Sequence, residues 1–94
     1  MDEPLPPSTV KQLLVAILET GTLGFSKHAL EEMAKDALTE VDVRNVLRGG
    51  TAREGELISG TWRYRVETKR IAVVITFRSD TWSVVVTAWR FKER

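Results

Sequence analysis

The sequence predicts an α+β domain in which N-terminal helices pack on one face of a C-terminal antiparallel sheet of three to four strands. Two observations predict it. Apolar residues recur at helical spacing as far as Leu47, and from Trp62 onward they follow a twofold period instead. Helical and strand segments are thus segregated along the chain, which argues for helices laid on a sheet and against alternating βαβ units. The 94 residues are enough for one hydrophobic core. A single domain over residues 1–94 is expected, with 1–7 as a flexible N-terminal segment.

Pro4, Pro6 and Pro7 keep the first residues extended, and Ser8 is a candidate N-cap for a first helix. Val10, Leu13, Leu14, Ile17 and Leu18 form its apolar face, and Gly21 closes it. Thr22 to Phe25 suit a small edge strand or an ordered turn. Ser26 then caps a second helix that directs Ala29, Leu30 and Met33 inward, with His28 in its first turn. Thr39 and Asp42 stand at capping-box spacing, Asp replacing the usual Glu or Gln. The third helix therefore begins at Thr39, buries Val43, Val46 and Leu47, and ends at Gly49-Gly50. Thr51 to Ile58 is expected to add a strand. Three more follow: the alternating 62–66, the apolar 71–77, and the β-branched and aromatic 82–89. Thr68-Lys69-Arg70 and Arg78-Ser79-Asp80 suit the hairpins between them.

Composition removes several chemistries. The chain has no cysteine, so disulfides, thiolate catalysis and Cys-rich zinc sites are out, and His28 alone cannot build a histidine metal cluster. No metal or cofactor is expected. The LLVAIL run at 13–18 is too short to span a bilayer, and MDEPLPPS is acidic where a signal peptide would be basic. These features predict a cytoplasmic protein with no membrane partner. The net charge of +1 conceals an asymmetry: up to Leu47 there are four Lys/Arg against eight Asp/Glu, and beyond it ten against five. A basic C-terminal half favours an anionic partner, although ordinary surface solvation would produce the same count.

Alternation sends Arg63 and Arg65 to one side of their strand and Trp62, Tyr64 and Val66 to the other. Arg78 and Arg90 end the next two strands, and Lys92 and Arg94 lie beyond. A meander could gather these cations on one open surface, where the planar guanidinium fork pairs bidentately with phosphate. Arg63, Arg78, Arg90 and Lys92 are therefore candidate RNA-binding residues. Trp62, Tyr64, Trp82 and Trp89 are interleaved with them and could stack unpaired bases, although Trp62 and Tyr64 are better explained as core. Seven residues apart, Trp82 and Trp89 are expected on opposite faces. His28 is the chain's lone imidazole, a group suited to proton transfer, although a histidine that merely packs at a helix start is the simpler reading. No GxSxG, P-loop, HExxH or acidic magnesium cluster is present.

The order of Phe25-Ser26-Lys27-His28-Ala29-Leu30, the Thr39-capped helix ending Val46-Leu47-Arg48-Gly49-Gly50, Tyr64-Arg65-Val66 and Val85-Val86-Thr87 resembles the bacterial family called domain of unknown function 4258. That family is similar to the motility quorum-sensing regulator (MqsR) toxins and, more broadly, to RelE-like ribonucleases. The likeness covers roughly residues 8 to 94, and the ending Phe91-Lys92-Glu93-Arg94 shares it. It implies a RelE/MqsR-like fold and a type II toxin, an mRNA interferase that cleaves RNA without metal. It also implies a cognate antitoxin protein, often with a zinc-finger segment. By family position the catalytic residues would be His28, Arg65 and Thr87: a proton-transfer group, a phosphate clamp and an orienting hydroxyl. Lys92 would match a basic residue near the toxins' end. The likeness is loose across Thr51 to Gly60, where Arg53 and Glu54 are the plausible reactive residues.

Two other readings fit the same residues. The helices His28–Lys35 and Val41–Arg48 superficially resemble a helix-turn-helix, and a non-catalytic nucleic-acid-binding domain would use Arg44, Asn45 and Arg48. A protein-interaction module would instead use the apolar runs 71–75 and 84–86 or a strand edge.

Overall fold

The structure, a computed structural model, describes residues 1–92. Helix α1 (Pro7–Thr20) starts with proline at its first position, where the missing N–H costs nothing and the fixed φ suits a helix. Pro6 takes the cap position expected of Ser8, and no side chain caps the helix. Val10, Leu14 and Ile17 are buried. At the far end of the core, Lys11 Nζ donates to the carbonyls of Leu47 (2.7 Å) and Arg48 (2.8 Å), and its partial burial lowers its pKa.

Helix α2 (Lys27–Lys35) is capped by Ser26, whose Oγ accepts from Ala29 N at 3.0 Å. It buries only Ala29 and Met33, and Leu30, expected inside, is 50% exposed. Helix α3 (Glu40–Gly49) has the capping box in full. Thr39 Oγ1 accepts from Asp42 N at 3.1 Å, and Asp42 Oδ2 accepts from Thr39 N at 2.8 Å. These bonds hold the Asp42 carboxyl below its ordinary pKa. Thr39→Ala should cost about 1 kcal/mol in urea unfolding. Because the folded-state pKa of Asp42 is depressed, the box stabilises above the ordinary carboxyl value near 3.8 and is lost as pH falls through the lower folded one. The Thr39→Ala deficit should therefore shrink in acid.

The strands are β1 (Thr22–Phe25), β2 (Thr51–Ala52), β3 (Glu56–Ile58), β4 (Thr61–Glu67), β5 (Ile71–Ser79) and β6 (Trp82–Arg90). Their order is β1-β6-β5-β4-β2, with β3 also on β4. The sheet is thus mixed, with six strands, and not an antiparallel one of three or four, because β1 pairs parallel to β6. The remaining pairings are antiparallel. The expected strand 51–58 is two short pieces, both laid against the outer edge of β4. Ser59 and Gly60, both at positive φ, form the two-residue turn from β3 into β4.

One core holds α1, α3 and the inner side of α2 against Tyr64, Val66, Val73, Ile75, Phe77, Val85 and Ala88. Tyr64 is fully buried, as its place on the core face requires. Its hydroxyl donates to Glu3 Oε2 (2.8 Å) and accepts from Leu5 N (3.0 Å), and burial pushes its pKa up to about 12. Glu3 and Leu5, within the N-terminal segment 1–7, are thereby bonded to a residue of the sheet. Trp62 is half-buried against the same core.

Candidate functional site

The opposite face of the sheet carries most of the candidate residues. Side chains directly opposite in a ladder share a face. Arg65 pairs with Val74, and Val74 with Thr87. Arg53 N donates to Arg65 O (2.8 Å), which adds Arg53 at the edge. One row therefore runs from Arg53, just after β2, through Arg65, Val74 and Thr87 on three adjacent strands. A second row runs from Glu67 through Ala72 to Trp89, and Glu56 lies opposite Arg63. The first row and Trp89 of the second line a shallow cleft of about 260 Å³ bounded by Arg53, Glu54, Glu56, Ile58, Arg63, Arg65, Val74, Thr87 and Trp89, with Glu67 just outside it.

A β-bulge decides which aromatics reach it. Val74 pairs with Thr87 but Ile75 with Val85, so Val86 is an extra residue. The bulge carbonyl is capped by Ser26 Oγ (3.1 Å), and Ser26 N donates to Val85 O (3.0 Å). The added residue shifts alternation by one. Trp82 and Trp89, expected on opposite faces, therefore share the open one: each neighbours a buried core-face residue, Ser83 and Ala88.

The electrostatics of the cleft are mixed. Glu67, 12% exposed, binds both Arg53 (Nε to Oε1, 2.7 Å) and Arg65 (Nε to Oε2, 3.2 Å). This pairing splays the two guanidiniums around one carboxylate and fixes their positions. Arg63 Nε is buried and has no hydrogen-bond partner among the described residues. A buried donor left unmade costs on the order of 1–3 kcal/mol, so an anionic oxygen entering here would gain more than in water. Thr87 offers a hydroxyl and Trp89 a flat face at the rim.

The structure brings together Arg63, Arg65 and Thr87. It does not bring in Arg78, which lies at the far end of β5 in a separate depression with the N-terminal residues. Arg90 has structural partners: its N–H donates to Asp36 Oδ2 (2.7 Å) and its Nε to Asp36 O (2.8 Å), tying the end of α2 to β6. Lys92 lies in a separate basic corner with Lys69, Arg70 and Phe91. Arg94 and Glu93 lie outside the described residues. His28 is exposed, with Nε2 3.9 Å from Glu32 Oε1, and does not line the cleft. Ser26, two residues before it, is bonded to the Val86 carbonyl, and α2 packs through Ala29 and Met33 on the core face of the sheet, opposite the cleft. Sequence reasoning missed Glu56 and Glu67. Ser59-Gly60 as a two-residue turn would have set Glu56 opposite Arg63.

No group of three or more His, Asp or Glu side chains placed to hold a metal ion occurs among the described residues. No described helix is long and apolar enough to cross a membrane.

Residues 25–90, which hold α2, α3, strands β2 to β6, the bulge and the whole cleft, match the family described as domain of unknown function (DUF4258). The chain belongs to that family. No curated protein and no solved structure gives a match to this sequence.

Proposed function

We propose that the chain is a RelE/MqsR-like mRNA interferase, a cytoplasmic endoribonuclease of the type II toxin class that needs no metal and is silenced by an antitoxin. The observation that supports this most is the row Arg53, Arg65, Val74, Thr87 beside Arg63 and Trp89. It offers guanidinium forks for a phosphate, a hydroxyl and a stacking face on a rigid sheet.

In the reaction, the RNA 2′-hydroxyl loses its proton and its oxygen attacks the adjacent phosphorus. The bond from phosphorus to the 5′-oxygen breaks, leaving a 2′,3′-cyclic phosphate and a 5′-oxygen that takes a proton from solvent water to become a hydroxyl. Arg65 and Arg63 stabilise the extra charge on the phosphorane oxygens. Thr87 holds a phosphate oxygen from across Val74. The proton acceptor within the cleft is Glu56, opposite Arg63; His28, the acceptor implied by family position, stands outside the cleft lining.

The test is incubation of the purified chain with single-stranded RNA in excess EDTA, followed by analysis of fragment ends. Cyclic phosphates are expected, and Glu56→Gln and His28→Ala identify the proton acceptor by which one stops cleavage. Intact RNA, with and without ribosomes, overturns the enzyme reading. Leu57 and Ile58, exposed on the outer edge of the sheet, would then support a protein-interaction module.

A further inference from the structure

The corner at the end of the sheet combines three features that the cleft lacks. Lys69 and Arg70 occupy the β4–β5 turn, which is internally fixed: Thr68 N donates to Ile71 O (2.9 Å), and Thr68 Oγ1 accepts from the N–H groups of Arg70 and Ile71 at 3.2 Å. The chain after β6 is tied to the same turn, because Phe91 N donates to Arg70 O (2.8 Å). Phe91 and Lys92 are thereby held against Lys69, Arg70 and Arg90 around a depression of about 190 Å³. No acidic side chain lines it among the described residues, whereas Glu54 and Glu56 line the cleft.

An aromatic path joins the two places. Trp89, at the rim of the cleft, packs edge-on against Phe91 with ring centroids 6.3 Å apart, and Phe91 is 38% exposed. From Thr87 to Phe91 is four residues, or about 13 Å of extended chain. That separation exceeds the reach of one nucleotide.

We infer that Lys69, Arg70 and Phe91 form a second subsite for single-stranded RNA, which binds the phosphates and a base flanking the one in the cleft. This rests on the ribonuclease reading of the cleft and specifies its substrate as an unpaired strand several nucleotides long. A duplex would not fit the path, because its bases are already stacked and cannot lie on Trp89 and Phe91.

The full chain would be titrated with 2′-O-methylated, uncleavable RNA of three and of nine nucleotides, by fluorescence anisotropy over a range of salt. The wild type should bind the nonamer at least about tenfold more tightly than the trimer, from two or more added phosphate contacts. Lys69→Ala/Arg70→Ala should remove that advantage, leave trimer binding unchanged, and reduce the salt slope on the nonamer by about 1.4, the value for two single-strand phosphate contacts. Phe91→Ala should weaken the nonamer without changing the slope. A double variant that binds the nonamer as the wild type does, with the same slope, overturns the subsite and leaves the cleft reading intact. Equal weakening on both lengths also overturns it. A wild type that binds neither RNA overturns the cleft reading and the subsite together.

Discussion

Arg65→Ala is expected to lower the rate of RNA cleavage by about 10²–10³-fold, the usual cost of removing one fixed donor to developing charge. The fold should barely change. Arg65 is 46% exposed, and Glu67, though only 12% exposed, keeps its pairing with Arg53 when Arg65 is removed, so no carboxylate is left without a partner. A large kinetic loss with an unmoved melting curve would therefore assign Arg65 to the chemistry and not to the scaffold. Arg65→Lys separates charge from geometry. Lysine keeps the positive charge but loses the planar fork that binds two phosphate oxygens at once, so an intermediate rate is expected. Both variants are compared with wild type purified in parallel, so that a contaminating nuclease would show itself as cleavage insensitive to residue 65. Unchanged cleavage in Arg65→Ala would remove the central residue of the proposed site.

Arg63 and Arg65 could be placed on the open face from the sequence because a strand of strict alternation needs no register: Trp62, Tyr64 and Val66 are the natural core set, which sends the arginines outward. Thr87 could not be placed by the same reasoning. Its face depends on the bulge at Val86, whose carbonyl accepts from the Ser26 hydroxyl 60 residues earlier, a register shift that twofold periodicity alone does not reveal. The same bulge explains the failed expectation for Trp82 and Trp89. Arg90 is the opposite case. Its position at a strand end resembles that of a surface cation, but its N–H groups satisfy the carboxylate and carbonyl at the end of α2, a partner 54 residues away.

For the fold, the helices were legible because each carries its own start signal, the serine and threonine caps of α2 and α3 and the prolines of α1. The sheet was less so. Thr22 to Phe25 is four residues long, too short for periodicity to separate strand from turn, and its parallel pairing with β6 is a contact across most of the chain. Leu23 and Phe25 pack against the core, while Gly24 shares the open face with Trp82 and Val84. The meander β4-β5-β6 was legible from its hairpins, and what encloses it was not.

The adjacent glycines at the end of α3 should respond to alanine with opposite signs. A Cβ on Gly50 would lie 2.6 Å from the Val46 carbonyl oxygen and 2.8 Å from that of Glu67, both backbone atoms that cannot rotate away. Gly50 is thus the point where the helix end presses directly on β4, and its N–H closes the helix on Val46 O at 2.7 Å. Gly50→Ala must push α3 off the strand and loosen the packing of Val46 and Leu47, an overpacking cost of about 3 kcal/mol. In a domain of this size each 1 kcal/mol is about 4–8 °C of melting temperature. Gly49 has nothing within 4 Å of an added Cβ and is the last helical residue, so Gly49→Ala should be neutral or stabilise by up to about 1 kcal/mol. The two substitutions add the same methyl group to neighbouring positions, so helix propensity alone would move them together. Opposite shifts in thermal unfolding would show that contact with the β4 backbone sets the sign, and equal shifts would refute the close approach. Gly50 is followed by Thr51 and Arg53, and Glu67 links Arg53 to Arg65. Displacing the helix end should therefore also disturb the guanidinium pair, so that Gly50→Ala loses cleavage at temperatures where it is still folded.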